Sequence, residues 1–396
     1  MYGWGENIHP SLKHNFKRYT TWAMLARDEP PSSNHIETKN LYGVHPFYMV
    51  LEPDGKAHGV LILNSNAQEV TTAPGPTLIY RTIGGNLDMY FFPGPTPQEV
   101  TEQYLALVGK PVLPAYWGLG YQISRYGYKD LEELKWIIER NVAAGVPLDT
   151  AVVDIDYMDR YKDFTTGELI PIFDVGIQVD DDAFRRAKAK VRIRWYERPS
   201  SKRRNCFRAR DSLNGSDSIK SPRTFRIREN LYPMAKDTKI MLSVVWPDAH
   251  IAFPDFFEPT NNTVNWWIDE FVDYYKKLPY DGIWIDMNEP AAFATNDEYP
   301  WYFDNPDHPN IAALKCPVDP SKPDSEWDMP PYQTHAVWRY GWGTYLSSKT
   351  MCMGALQGDG KYRHYDVKNI YGWSEAKATL QAQYKATGKR GVVISR

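Results

Sequence analysis

The chain has 396 residues, with 46 Lys and Arg against 49 Asp and Glu, so its formal charge is −3 and no global electrostatic pull toward nucleic acid is expected. At about 100 to 200 residues per domain, the length predicts two or three domains. No apolar run reaches the ~20 residues needed to span a bilayer, and Met1-Tyr2-Gly3-Trp4-Gly5 has no basic stretch leading into an apolar one, so no signal peptide is expected. Cys206, Cys316 and Cys352 allow at most one internal disulfide and leave the redox compartment open. Aromatic residues make up 14%, which favours a site that stacks on flat ligands such as sugars or bases, although large cores consume aromatics too.

The first hundred residues alternate apolar and polar at period two. Phe47 to Leu51, a turn at Pro53-Asp54-Gly55, and Val60 to Leu63 read as an antiparallel hairpin, because Asp-Gly tolerates the positive φ such turns demand. With strands at Leu78 to Tyr80 and Leu87 to Phe92, residues 1–110 are expected to form a β-sandwich domain. A helix then follows with Thr96 as cap, Pro97 first, Glu99 completing a capping box and Gly109 ending it. Its apolar face is predicted to be Val100, Tyr104, Leu107 and Val108.

From Pro111 the pattern becomes short strands alternating with amphipathic helices. Tyr116 to Ile123 is predicted as a strand, and Leu131, Leu134, Ile137, Ile138 and Val142 give a helix closed by Gly145. Ala151 to Val153 is the next strand. This βαβ unit implies a parallel sheet. Further strands are expected at Leu169 to Phe173, Ile240 to Val245, Ile283 to Ile285 and Val392 to Ile394. A helix built on Val264, Trp267, Ile268, Phe271, Val272 and Tyr275 leads into the third of these. One segment breaks the pattern: from Arg185 to Arg210 twelve residues are basic and one is acidic, and no periodicity appears as far as Asn230. It reads as an irregular insertion at about 185–230.

Three predicted strands end on an aspartate: Asp154, Asp174 and Asp286. An acid just after a buried strand sits at the C-terminal edge of a parallel sheet, where α/β barrels keep their active sites. Sugar hydrolysis needs this arrangement, one carboxylate to attack the anomeric carbon and a protonated one to release the leaving oxygen. Trp246 and Trp284 at the same edge can wall a pyranose. Taken singly, each aspartate also reads as a helix cap or structural ion pair. Asp154-Ile155-Asp156 further resembles the D-x-D start of a magnesium phosphotransferase, a reading that requires a paired later acid. Asp180-Asp181-Asp182 borders the basic tract rather than a strand.

Asp281-Gly282-Ile283-Trp284-Ile285-Asp286-Met287-Asn288-Glu289-Pro290 resembles the catalytic signature of glycoside hydrolase family 31, the α-glucosidases. The resemblance extends over Tyr42 to Tyr48, Tyr116 to Gly120, Asp154 to Asp159, Val245-Trp246-Pro247, Ala252 to Phe256 and Ile394-Ser395-Arg396. It implies an α/β fold in which an N-terminal β-sandwich domain precedes a (β/α)8 TIM barrel over 111–396. It also implies retaining release of α-linked glucose from the non-reducing ends of maltose-type oligosaccharides. Asp286 would be the nucleophile and Glu289 a supporting hydrogen-bond partner. Asp154 would hold glucose hydroxyls, and Ile155, Ile177, Trp246, Trp284 and Met287 would line the glucose pocket. Arg396 would lie beside the nucleophile and favour its ionised form, and Asp28 would reach the next sugar. No cofactor or metal is implied.

The family's general acid/base lies on the strand after the Ile-Ser-Arg motif, whereas this sequence ends at Arg396. The barrel is therefore expected to be incomplete and the chain, as a truncated form, inactive on maltose. A degenerate, non-catalytic carbohydrate-binding relative is the alternative. Residues 155–168 are polar and lack the crossover helix expected between parallel strands. The basic tract reads as a solvated loop or extraneous sequence, or else as a polyanion patch that would bind in a salt-dependent way. Cys316 and Cys352 match a family disulfide, which favours the secretory pathway, extracellular space or lysosome, with any membrane anchor outside these residues. Asn261-Asn262-Thr263 and Asn214-Gly215-Ser216 are glycosylation sequons.

Overall fold

Period-two alternation in the N-terminal region becomes two antiparallel sheets. The computed structural model describes residues 1–31, 40–165, 241–246, 248–306, 310–321, 324–332, 334 and 345–396. One sheet has the order β1 (Tyr2–Asn7), β3 (Asn40–Leu51), β4 (Ala57–Ile62), β7 (Met89–Phe92). The other has the order β2 (Thr20–Met24), β5 (Gln68–Ala73), β6 (Thr77–Thr82). The predicted hairpin is β3–β4, with Phe47 opposite Leu61 and Leu51 opposite Ala57. Its turn closes through the Gly55 N–H donating to Glu52 O at 3.0 Å, with Gly55 at φ 86°, a conformation that favours glycine. Trp4, Met24, Ile62 and Val70, drawn from both sheets, form one buried cluster. At 25 cal/mol per Å² of apolar surface, burying each such side chain stabilises the fold by roughly 1.5 to 3 kcal/mol.

α1 (Pro97–Val108) follows with the predicted cap. The Thr96 hydroxyl accepts from the Glu99 N–H, the Thr96 N–H donates to Glu99 Oε2 at 2.9 Å, and the Gly109 N–H closes on Leu105 O. The apolar face is shorter than expected. Val100 and Tyr104 pack on Ala57, Leu61 and Phe92, but Leu107 and Val108 remain 44% and 48% exposed. The sheet lies under the first turns of α1, so its last turn finds no apolar partner there.

The C-terminal pattern yields short parallel pairs. β8 (Tyr121–Arg125), α2 (Leu131–Ala143) and β9 (Leu148–Val153) make the predicted βαβ unit, with Arg125 opposite Val153. Asp130 caps α2 by accepting from the Glu133 N–H at 2.8 Å, and Leu134, Ile137 and Ile138 are buried. The strand predicted from Tyr116 begins only at Tyr121. Tyr116–Leu119 is a 3-10 turn, closed by Gly118 N–H to Ala115 O and Gly120 N–H to Trp117 O. Gly120 is required there, since a Cβ would fall 2.0 Å from Asp149 Oδ2.

β10 (Leu242–Val245) and β11 (Ala249–Ala252) pair with each other. α3 (Asn262–Tyr275) leads to β12 (Ile283–Ile285), and α4 (Tyr371–Thr387) leads to β13 (Val393–Ser395). β12 and β13 are parallel, Ile283 opposite Val393 and Ile285 opposite Ser395. Trp267 and Phe271 of α3 are almost fully buried against Phe164, and the Trp267 Nε1–H donates to Thr379 of α4 at 3.0 Å. Among the described residues the barrel strands form separate pairs rather than a closed barrel. The expected missing crossover is partly visible: two 3-10 turns, Ile155–Tyr157 and Asp159–Tyr161, take the place of an α-helix as far as Thr165. The Leu169 to Phe173 strand, Asp174, Ile177 and the basic insertion lie outside the described residues.

Two compact units emerge from the backbone contacts. One holds 1–112, 241–243 and 289–371, and the other holds 113–165, 244–288 and 372–396 among the described residues. Cys316 and Cys352 are joined by a disulfide within the first. Among the described residues no helix is long and apolar enough to cross a membrane.

Candidate active site

β12 is only three residues long, but Ile283 and Ile285 are buried and alternate with half-buried Trp284. Asp286 is therefore delivered to the strand's C-terminal edge, as the sequence predicts. The Met287 N–H donates to Asp286 Oδ1 at 2.8 Å, which fixes the carboxyl orientation. Met287 itself is buried and held at φ 62°, an uncommon left-handed conformation for a residue with a side chain.

The neighbouring strand brings Arg396 to the same edge. Ser395 lies opposite Ile285, and the Arg396 N–H extends the ladder by donating to Ile285 O at 3.2 Å. The next residue on each strand is thus Asp286 and Arg396. The Asn288 Nδ2–H donates to Ser395 Oγ at 2.9 Å and ties the two strand ends together. Gly372 at the start of α4 approaches so closely that a Cβ would meet Asn288 O at 3.0 Å.

β9 repeats the arrangement. Val152 and Val153 are buried, Asp154 follows, and the Ile155 N–H donates to Asp154 Oδ1 at 2.7 Å. Two tyrosines, neither singled out in the sequence, join it together with Asp156, the second acid of the D-x-D motif. The Tyr126 and Tyr161 hydroxyls stand 3.5 Å apart. That contact, then burial, then the charges of Tyr161, Asp156 and Asp154, push the Tyr126 phenol up to about 12. Asp156 Oδ2 accepts from the Gly127 N–H at 2.9 Å, while burial raises its carboxyl above the ordinary range. In the D-x-D motif the second acid thus holds the β8 turn. The available sequence signal was Gly127, which sits at φ 94° directly after Tyr126.

Ile155 is buried, and Trp246, just after β10, is 42% exposed. Ile177 cannot be placed, since it lies outside the described residues. Asp28 and Glu289 fall in the other unit. The Asp28 N–H donates to Lys349 O, and next to it Glu29 pairs with Lys349 at 2.9 Å. Glu289 is buried, and its backbone oxygen accepts from Lys368 Nζ at 3.3 Å. Burial, then the Arg27 charge, hold the Lys368 ammonium well below its usual range against the pull of Glu289. Among the described residues no group of three or more His, Cys, Asp or Glu side chains is placed to hold a metal ion.

Residues 111–396 match the glycosyl hydrolases family 31 TIM-barrel domain. The chain is 39% identical over 424 aligned positions to intestinal sucrase-isomaltase of Homo sapiens, covering 100% of this chain and 20% of that protein. It is 34% identical over 397 positions to lysosomal alpha-glucosidase of Mus musculus, covering 100% of this chain and 36% of that one. Among solved structures it superposes on the glucosidase II alpha subunit bound to Glc1Man2 with a TM-score of 0.68 at 20% identity, covering 37% of that chain. The family 31 alpha-glucosidase of Bacteroides thetaiotaomicron gives 0.59 at 22% identity, with 52% of that chain covered. The sequence thus spans well under half the length of these curated relatives, and over that span it belongs to glycosyl hydrolase family 31.

Proposed function

We propose that these residues carry the nucleophile and glucose-holding side of a retaining α-glucosidase acting at the non-reducing ends of maltose-type oligosaccharides. The observation that carries this reading is the β12–β13 register, which sets Arg396 next to an Asp286 whose carboxyl is aimed by the Met287 N–H. Asp286 attacks the anomeric carbon, the glycosidic C–O bond breaks, and the glucosyl ester that forms is opened later by water, so two inversions give retention. Asp154 holds glucose hydroxyls, Ile155, Ile177, Met287, Trp246 and Trp284 wall the sugar, Asp28 reaches the next residue and Glu289 supports. In this reading residues 1–110 are a β-sandwich and 111–396 contribute strands of a (β/α)8 barrel. The disulfide and the intestinal and lysosomal relatives support a lumenal or extracellular setting.

Proton transfer contributes typically 10² to 10⁴-fold, roughly 3 to 5 kcal/mol of barrier. A dinitrophenyl α-glucoside, whose leaving group needs no proton, isolates the nucleophile from that contribution, and the 396-residue polypeptide is expected to release dinitrophenol from it in a burst. Binding of maltose-type sugars with no burst would favour the non-catalytic relative instead.

A further inference from the structure

The start of α3 has an arrangement that the glucosidase reading does not use. Asn is among the best residues at a helix N-cap, where its side chain normally accepts from the first N–H groups. Asn261 occupies that position before α3 yet makes no such bond. It is exposed, it sits at φ 62° and ψ 14°, and its side chain has no hydrogen bond to any described residue. Glu258 has taken over the capping. Its carboxylate accepts from the Thr260 N–H at 2.6 Å, from the Thr260 hydroxyl and from the Thr263 N–H at 3.3 Å. An anionic group at the positive end of the helix dipole does this better than a neutral amide. The amide of Asn261 is thereby turned out to solvent, within Asn261-Asn262-Thr263, where the middle residue is not proline.

We propose that Asn261 carries an N-linked oligosaccharide. The Asn261 Nδ2 displaces diphosphate from the anomeric carbon of a polyprenyl-diphosphate oligosaccharide. The N–C bond forms, the C–O bond to phosphate breaks, the amide loses one proton and polyprenyl diphosphate leaves. Thr263, whose hydroxyl completes the acceptor sequence, is only 6% exposed in the fold. Transfer therefore precedes the folding of α3, and the finished turn keeps the glycan on the outside because only the backbone oxygen of Asn261, which accepts from the Asn265 N–H, takes part in the helix start while its side chain makes no capping bond. The required compartment is the lumenal one proposed above, for which the Cys316–Cys352 disulfide is the marker. An asparagine also tolerates the left-handed conformation on its own account, so a purely conformational role is the competing explanation.

The full chain, directed into the secretory pathway of a eukaryotic host, is treated with peptide N-glycosidase in heavy-oxygen water and mapped by mass spectrometry, with secreted and retained pools read separately. The expected result is heavy-oxygen aspartate at position 261. Asn261→Gln and Thr263→Val abolish the label, Thr263→Ser keeps it, and Asn214→Gln leaves it unchanged. Unlabelled Asn261 in chains that hold the Cys316–Cys352 disulfide overturns the proposal and leaves the lumenal reading standing. Unlabelled Asn261 with both cysteines found as free thiols overturns the two together.

Discussion

The two-sheet region and the barrel segment place their residues by different means. In the first, β3–β4 and β5–β6 are ladders of five and six residue pairs between strands that are neighbours in sequence. Turn chemistry fixes their register, and the buried cluster at Trp4, Met24, Ile62 and Val70 locks it. In the second, β12 and β13 make three pairs, between residues as far apart as Ile283 and Val393. So short a ladder adds little stability, but it sets Asp286 and Arg396 side by side. Long local pairing supplies rigidity, and short distant pairing positions chemistry. Substitutions in the two units should therefore separate cleanly, one class moving stability and the other the reaction.

The largest separation is expected at the nucleophile. Asp286→Asn should abolish the dinitrophenol burst, a loss on the order of 10⁴-fold, while leaving the melting temperature within a degree or so, because the Met287 N–H can still donate to an amide oxygen. A large drop in melting temperature would mean that the β12–β13 edge is structural and the division false. In the other unit, Cys316→Ser with Cys352→Ser opens a loop whose ends are 36 residues apart. The chain-entropy relation predicts a cost of about 4 kcal/mol, read as a lower denaturant midpoint with the burst amplitude unchanged when assayed well below that midpoint.

The same unit should also show pH dependence. Burial pushes the Asp328 carboxyl up to about 7, against the hydrogen bonds it accepts from Ser347 and the Met353 N–H. The folded state thus holds a proton that the unfolded chain releases from the ordinary carboxylate range upward. This contribution is fully present at pH near 3 and is lost as pH rises to about 7. At about 1.4 kcal/mol per unit the loss is on the order of 4 kcal/mol. Asp328→Asn should flatten this slope in a series of thermal melts, with the gain over the parent seen at pH 8 and absent at pH 4. The smallest effect is expected at α1, where Thr96→Ala removes one arm of the capping box and costs about 1 kcal/mol.

What could be read in advance follows the same division. The Asp54-Gly55 turn and the Thr96 to Gly109 helix were legible because each signal lies within a few residues of the structure it specifies. The exposed end of α1 was not, since Leu107 and Val108 have helical spacing and only the extent of the sheet beneath decides their burial. Tyr116 to Gly120 read as strand by composition, but the chain closes on itself there through the Gly118 N–H to Ala115 O and the Gly120 N–H to Trp117 O, bonds that no apolar-polar alternation signals. At the site, Asp154 and Asp286 stood out as acids after buried runs. Tyr126 and Tyr161 did not, and Asp156 read only as the second acid of a D-x-D motif, because their relation passes through the Gly127 turn rather than through any period.

The central claim is that Asp286 forms the glucosyl ester. Incubation of the 396-residue chain with α-glucosyl fluoride, acid quenching and peptide mapping test it directly. Fluoride leaves without a proton donor, so formation of the ester depends on the nucleophile, and acid quenching traps the adduct. One glucosyl unit is expected on the peptide containing Asp286 and none in Asp286→Asn. Glucosylation of Asp154 or Asp156, or an adduct that survives in Asp286→Asn, would contradict it.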